Sequence, residues 1–217
     1  LSWNLYHGRS PVPAGRALLG EFASALAAWE WDVALLQEVP PWWPAPLAAA
    51  CGASERHVLT SRNALLPLRR AIARRAPDLI KSNGGGGNAI LVRGRAIADQ
   101  RALRLAWLPE RRWAHGVRLA GGGWIVNLHA TTRDEPRALV ESERAVAAAR
   151  GWAGGEPLLV LGGDLNIAQG PALPGLRHLV GHHVDHLYGE GEPHDAAVLE
   201  RGRLSDHAPI AVSVLSP

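Results

Sequence analysis

Cysteine occurs once in this chain, at Cys51, and methionine not at all. A lone cysteine excludes an intramolecular disulfide framework and a cysteine-based zinc site. The fold therefore does not depend on an oxidising compartment, and a cytoplasmic setting is expected. A secreted form stays open, because a leader ahead of Leu1 would have been removed. No apolar run approaches the roughly 18 residues that would suggest a membrane-spanning helix. Lysine is nearly missing too: Lys81 is the only one, so 22 of the 23 cationic residues are arginine. Arginine suits bidentate contact with phosphate. The same usage, with abundant alanine and glycine, also fits coding by a GC-rich genome, and a net charge of +3 is no polybasic signature. There is no fixed-period repeat, and the longest low-complexity tract is Gly84–Gly87. That run lacks Gly-Lys-Ser/Thr and a following helix, so it is not a P-loop.

What is present is a globular composition, 47% hydrophobic and 20% charged over 217 residues, expected to form one domain spanning 1–217. Strands are expected at Leu1–Tyr6, Val33–Val39, Asn88–Arg93, Ala96–Leu103, Arg112–Leu119, Trp124–Ala130, Leu158–Leu161, Val184–Tyr188, Asp195–Leu199 and Pro209–Leu215. Helical spacing covers Ala17–Trp29, Trp43–Ala50, Leu65–Ile80 and Pro136–Trp152, the last capped by Asp134 or Thr132. In Leu65–Ile80 the apolar Leu68, Ile72 and Leu79 alternate with Arg69, Arg70, Arg74 and Arg75. Hairpins and helices follow one another without a βαβ rhythm. This predicts an α/β sandwich, two mostly antiparallel sheets with helices outside, rather than a doubly wound parallel sheet.

The chemistry-bearing residues sit at strand ends, where a rigid scaffold presents functional groups on loops. Glu38 ends one apolar run, and Asp164 ends another, with Asn166 two residues on. Ile125, Asn127 and His129 share a strand face by alternation. Asp185-His186 and Asp206-His207 each pair a carboxylate with an imidazole. Either is an ordinary surface ion pair or part of a site in which the carboxylate fixes the tautomer of an imidazole facing phosphate. On one continuous strand, His182 and His186 would face away from His183, which argues against a zinc site there.

Seven segments, in order, resemble the endonuclease/exonuclease/phosphatase superfamily: Ser2-Trp3-Asn4, Leu36-Gln37-Glu38, Gly87-Asn88-Ala89-Ile90-Leu91, Val126-Asn127-Leu128-His129, Gly163-Asp164-Leu165-Asn166, Val184-Asp185-His186 and Ser205-Asp206-His207-Ala208-Pro209. They span residues 2–209. The resemblance implies a four-layer α/β sandwich and a divalent-metal-dependent phosphoesterase. It implies Mg²⁺ or Mn²⁺ held mainly by Glu38, with Asn4 and Asp206. It implies a catalytic set of His129, Asp164, Asn166, Asp185 and His207, and phosphate or substrate contacts from Asn88 and Arg112, with Arg111 competing for the latter's register. Nucleic acid is the expected substrate and a small phosphoester or lipid headgroup the alternative. A catalytically silent module is the third reading, and a monomer is expected. Asn4 is followed by Leu5 and Tyr6, not by the Asn-x-Asn or Asn-x-Asp of the exonuclease III branch, which turns the resemblance away from abasic-site repair. The stretch Arg62–Lys81, six cations against Asp78, either tracks a nucleic-acid backbone or is a solvated helix face.

Overall fold

A computed structural model of the chain describes residues 1–61, 63–80 and 86–215. The ends of the basic stretch, Arg62 and Lys81, and the first two residues of the glycine run lie outside the described residues. Two six-stranded sheets pack face to face. The first has the order β11-β12-β1-β2-β4-β3, and the second β5-β6-β7-β8-β10-β9. In the first, β1 is Ser2–Asn4, β2 Val33–Val39, β3 Ser54–Leu59, β4 Gly87–Val92, β11 Glu192–Val198 and β12 Ile210–Leu215. In the second, β5 is Ile97–Ala106, β6 Arg112–Leu119, β7 Trp124–His129, β8 Leu158–Asp164, β9 Arg177–His182 and β10 Asp185–Gly189. Each sheet contains one parallel pair, β1 with β2 and β7 with β8, among otherwise antiparallel neighbours. Helices α1 (Leu19–Ala28) and α2 (Pro44–Cys51) cover the first sheet, and α4 (Glu135–Ala153) covers the second, giving the four layers expected.

Period-two alternation sorts the layers. Leu35, Ile90, Val117, Ile125 and Leu187 fill the space between the sheets. Their neighbours Leu36, Leu91, Val126 and Leu128 point outward onto helices. Trp3, Phe22 and Trp43 anchor the first helix layer, with ring centroids 4.9 and 5.5 Å apart in successive pairs. Asp134 caps α4, its side chain accepting from Arg137 N at 3.2 Å. Among the described residues no helix is long and apolar enough to cross a membrane.

Three expectations need correction. Two edge strands, β3 and β9, escaped the sequence reading because their exposed faces carry Glu, Arg and His instead of an apolar run. The chain does not run straight through 182–186: it turns at His183 (φ 51°) between β9 and β10. His186 bonds His178 (3.2 Å) and Ile167 O (2.9 Å), and also the backbone of His183. Finally, the helix expected over 65–80 is α3 (Leu66–Arg75) followed by a 3-10 turn at Pro77–Leu79, and none of its residues is buried. Its apolar stripe, Leu65, Leu68, Ile72 and Leu79, faces solvent, and Arg70 and Arg74, also exposed, line a surface cavity beside it.

His115, on β6, is fully buried with both ring nitrogens lacking a hydrogen-bond partner among the described residues. Burial, then the nearby charges of His57 and Arg56, push its pKa down to about 4. Between that value and the roughly 6.5 of an unfolded histidine, the unfolded chain binds a proton that the folded chain refuses. Stability should therefore fall as pH drops through this window, by up to about 3 kcal/mol from this residue. His115→Leu should flatten that slope, as read from urea midpoints at pH 7 and pH 4.5. Parallel slopes in the two proteins would refute the assignment.

Candidate active site

Register carries three of the expected residues to one place. His129 pairs with Asp164 across β7–β8, and Asp185 pairs with Asp164 across β10–β8. All three thus sit at the same level on adjacent strands. The ends of β1 and β2 meet them from the other sheet, since Asn4 Nδ2 donates to Asp164 Oδ2 at 2.8 Å. Asp164 also accepts from Asn166 N at 3.1 Å through Oδ1, and its Oδ2 lies 3.4 Å from His129 Nε2 and 3.9 Å from His207 Nε2.

His207 comes from the loop before β12, which is pinned from both sides. Ser205 Oγ donates to Asn4 O at 2.7 Å and accepts from His207 N at 3.1 Å, and Trp3 Nε1 donates to His207 O at 3.0 Å. Its Nδ1 meets Asp185 Oδ2 at 2.7 Å, although 22 residues separate them in sequence. Asp206 stands at the rim, its side chain 45% exposed, 3.9 Å from His207 Nε2.

Glu38 reaches the site through a bulge. The register of β2 against β4 shifts between Leu36 and Val39, and Glu38 takes φ 50°. A bulge of this kind re-aims a side chain. Glu38 swings to the strand end while Gln37 turns inward, where its Nε2 donates to Asn127 Oδ1 at 2.9 Å. Asn127 Nδ2 in turn donates to Leu36 O and Ala89 O, each at 2.9 Å, so a buried amide pair ties the two sheets just beneath the site. Asn166 (φ 54°), Ser205 (φ 54°) and His7 (φ 54°) share the left-handed backbone of Glu38. Such conformations cost on the order of 1–3 kcal/mol each and gather at functional sites.

Sequence reasoning missed His7. Its Nε2 lies 3.0 Å from Glu38 Oε2, and the only signal was its place just after the first strand, ahead of Gly8. Asn88, by contrast, was expected: it is completely buried on β4, and neither amide atom has a hydrogen-bond partner among the described residues. Arg112 is buried and Arg111 exposed, so Arg112 is the inward one. Arg112 pairs with Glu110 at 3.1 Å.

The electrostatics are those of crowded carboxylates. Burial, then the charge of Asp164, raises Glu38 to about 7 against the pull of His207 and Arg112. Burial likewise raises Asp164, outweighing His207 and the donors from Asn4 and Asn166. It raises Asp185 too, against its bond to His207. Burial alone would lower His207, but Asp185, Asp164 and Asp206 together outweigh it and raise that imidazole. Burial, then Arg112 and His207, holds His129 well below the ordinary value, so it is neutral.

This donor set fits a hard divalent cation. Carboxylate oxygens dominate, burial penalises their bare charges and raises their pKa values, and Asp185 Oδ1 is buried with no hydrogen-bond partner among the described residues. One ligand atom each from Asp164, Asp185 and His207 lie within 4.8 Å of one another. Of the ligands expected from sequence, Glu38 is close enough to Asp164 for their charges to interact, and Asp206 lies beside His207. Asn4 already accepts Tyr6 N–H on Oδ1 at 2.9 Å.

The model of the endonuclease/exonuclease/phosphatase family matches residues 1–207. Among solved structures, an endonuclease/exonuclease/phosphatase from Beutenbergia cavernae is similar at 19% identity and a TM-score of 0.71, over 97% of this chain and 69% of that one. Truncated TDP2 from Caenorhabditis elegans is similar at 16% and 0.64, over 96% and 93%. A mannosyl-6-phosphatase from Bacteroides thetaiotaomicron is similar at 14% and 0.62, over 91% and 90%. No curated protein matches the chain.

Proposed function

Because the chain belongs to the endonuclease/exonuclease/phosphatase family, whose members are metal-dependent phosphoesterases, we propose that it hydrolyses a phosphodiester by in-line attack of water, with a nucleic-acid strand as substrate. The observation that carries this reading is Asp164: a buried carboxylate held by Asn4 and Asn166, with His129 and His207 within 4 Å.

In this reading Asp164 aligns the attacking water and takes its proton as the new P–O bond forms. Asn4 and Asn166 fix the carboxylate's orientation. His207, kept protonated by Asp185, donates to a phosphate oxygen as charge grows there, and neutral His129 donates alongside it. Arg112 adds fixed positive charge, and the unsatisfied amide of Asn88 faces substrate. Mg²⁺ or Mn²⁺, held by Glu38 with Asp206 and Asn4 or the Asp164–Asp185–His207 group, would act as a Lewis acid on the phosphate. Nucleic acid is favoured because Arg70 and Arg74 line the cavity shared with His7, the partner of Glu38. A small phosphorylated molecule is the second reading, supported by the likeness to the mannosyl-6-phosphatase over most of both chains.

The test is hydrolysis of bis-p-nitrophenyl phosphate, single-stranded DNA, plasmid and RNA with Mg²⁺, Mn²⁺ or excess EDTA. Glu38→Gln should raise the metal concentration for half-maximal rate at least about tenfold and cut turnover by about 10²-fold or more, leaving the melting temperature near wild type. Full activity in EDTA would sink the reading.

A further inference from the structure

Beside Glu38 lies the cavity that Arg70 and Arg74 line, and none of these roles uses its apolar walls. Its volume is about 180 Å³, and its walls are Leu19, Pro40, Trp42, Trp43, Pro46 and Ile80. The floor is rigid. Gly8 (φ +74°) brings the backbone so close to the Trp43 indole that a Cβ there would fall under 3 Å from the ring, and Trp43 packs on Phe22 behind it. Trp42, by contrast, is half-buried, with part of its indole left uncovered. Around this apolar slot stand Arg9, Arg70 and Arg74, and none of its lining residues is acidic. Arg9 is stacked over Tyr6 at 4.9 Å, and its Nε is buried with no hydrogen-bond partner among the described residues. The slot adjoins the candidate site through His7, which lines it and lies 3.0 Å from Glu38, and through Pro40, two residues past Glu38.

An apolar slot with an aromatic wall, a cationic rim and a phosphoester centre next door fits a flat apolar group joined to phosphates. We propose that it receives one unpaired nucleobase adjacent to the scissile phosphate, stacked on Trp42, while Arg70 and Arg74 meet the flanking phosphates. The proposal rests on the phosphoesterase reading above and narrows its substrate to single strands or frayed ends. Two observations favour a base over the acyl chains of a lipid. The volume suits a single ring system and lies below the roughly 300 Å³ at which pockets for larger ligands begin. Three arginines suit a repeating polyanion, and base stacking on an aromatic side chain is tolerant of sequence. In a duplex the base is already paired and stacked, and extracting it costs energy.

The experiment compares kcat/KM, with Mn²⁺ or Mg²⁺, on four probes: a single-stranded oligo(dT), the same length of base-free tetrahydrofuran phosphodiester, a blunt duplex, and bis-p-nitrophenyl phosphate. Wild type should prefer the oligo(dT) to the base-free chain and to the duplex by about tenfold or more. Trp42→Ala should erase most of that preference through KM, and Arg70→Gln with Arg74→Gln should flatten the salt dependence on oligo(dT) by roughly one unit per lost contact. Leu68→Ser, on the outward stripe of α3, should alter neither. Equal rates on base-free and base-bearing chains would overturn the proposal, as would a preference that survives Trp42→Ala. Activity on bis-p-nitrophenyl phosphate with none on oligo(dT), or faster turnover of phospholipid headgroups in anionic vesicles, would also overturn it. No hydrolysis of any phosphoester would instead defeat the phosphoesterase reading itself.

Discussion

Asp164→Asn is expected to lower turnover by about 10³- to 10⁴-fold while leaving the melting temperature at or above that of wild type. The rate loss follows from the geometry. Asp164 is the residue on which Asn4 and Asn166 N converge and beside which both His129 and His207 lie. An amide of the same shape accepts on one atom only and cannot take a proton from water. Both the general base and the orienting acceptor are lost at once, and each such loss is worth on the order of 10²- to 10⁴-fold. The stability expectation follows from charge. Burial raises the Asp164 pKa in the fold, so keeping the carboxylate ionised there costs stability relative to the unfolded chain. A neutral amide removes that cost, the trade expected of a residue kept for chemistry. Rates on bis-p-nitrophenyl phosphate and thermal melts at pH 7 check both halves. Activity within tenfold of wild type would remove Asp164 from the centre of the mechanism. A large drop in melting temperature would mean that the variant reports folding and not chemistry.

The sequence made the strand ends visible because each combines a short apolar run with a polar residue just past it. Glu38 and Asp164 stand out by that contrast, His129 by its alternation with Ile125 and Asn127, and their roles come from the family resemblance. The layers were equally legible in Leu35 against Leu36 and in Ile125 against Val126, since a period of two survives wherever both faces are buried. What the pattern could not show was conformation that depends on partners far along the chain. The bulge at Glu38 exists only because β4 pairs across it, and the left-handed backbone at His7, Asn166 and Ser205 carries no glycine to announce it. His7 went unnoticed for that reason. The edge strands β3 and β9 lack a second buried face, and so lack the signal itself. On α3 the spacing is helical and amphipathic as expected. Periodicity has no sign, however, and the structure leaves the apolar stripe exposed together with Arg70 and Arg74, which line a cavity.

Asp185→Asn and His207→Gln should each cost about 10²- to 10³-fold in kcat, and the double variant should be within a few-fold of the worse single. The Asp185–His207 contact, 2.7 Å long, joins the two residues into one device. His207 Nε2 lies 3.9 Å from Asp164, and Asp185 bonds the opposite nitrogen, raising the imidazole's affinity for its proton. Removing Asp185 takes away the hydrogen bond that orients the ring and the largest of the contributions that raise its proton affinity. Removing His207 leaves Asp185 a buried carboxylate with nothing to hold. Either change loses an interaction that strengthens as charge builds on phosphate, so kcat should fall more than KM rises. The backbone should tolerate both, because the loop is fastened independently by Ser205 to Asn4 O and by Trp3 to His207 O. A double-mutant cycle on bis-p-nitrophenyl phosphate reads the coupling directly. If the two losses simply multiplied, to about 10⁴-fold or more, the residues would be acting separately. His207 would then owe neither its charge nor its orientation to Asp185.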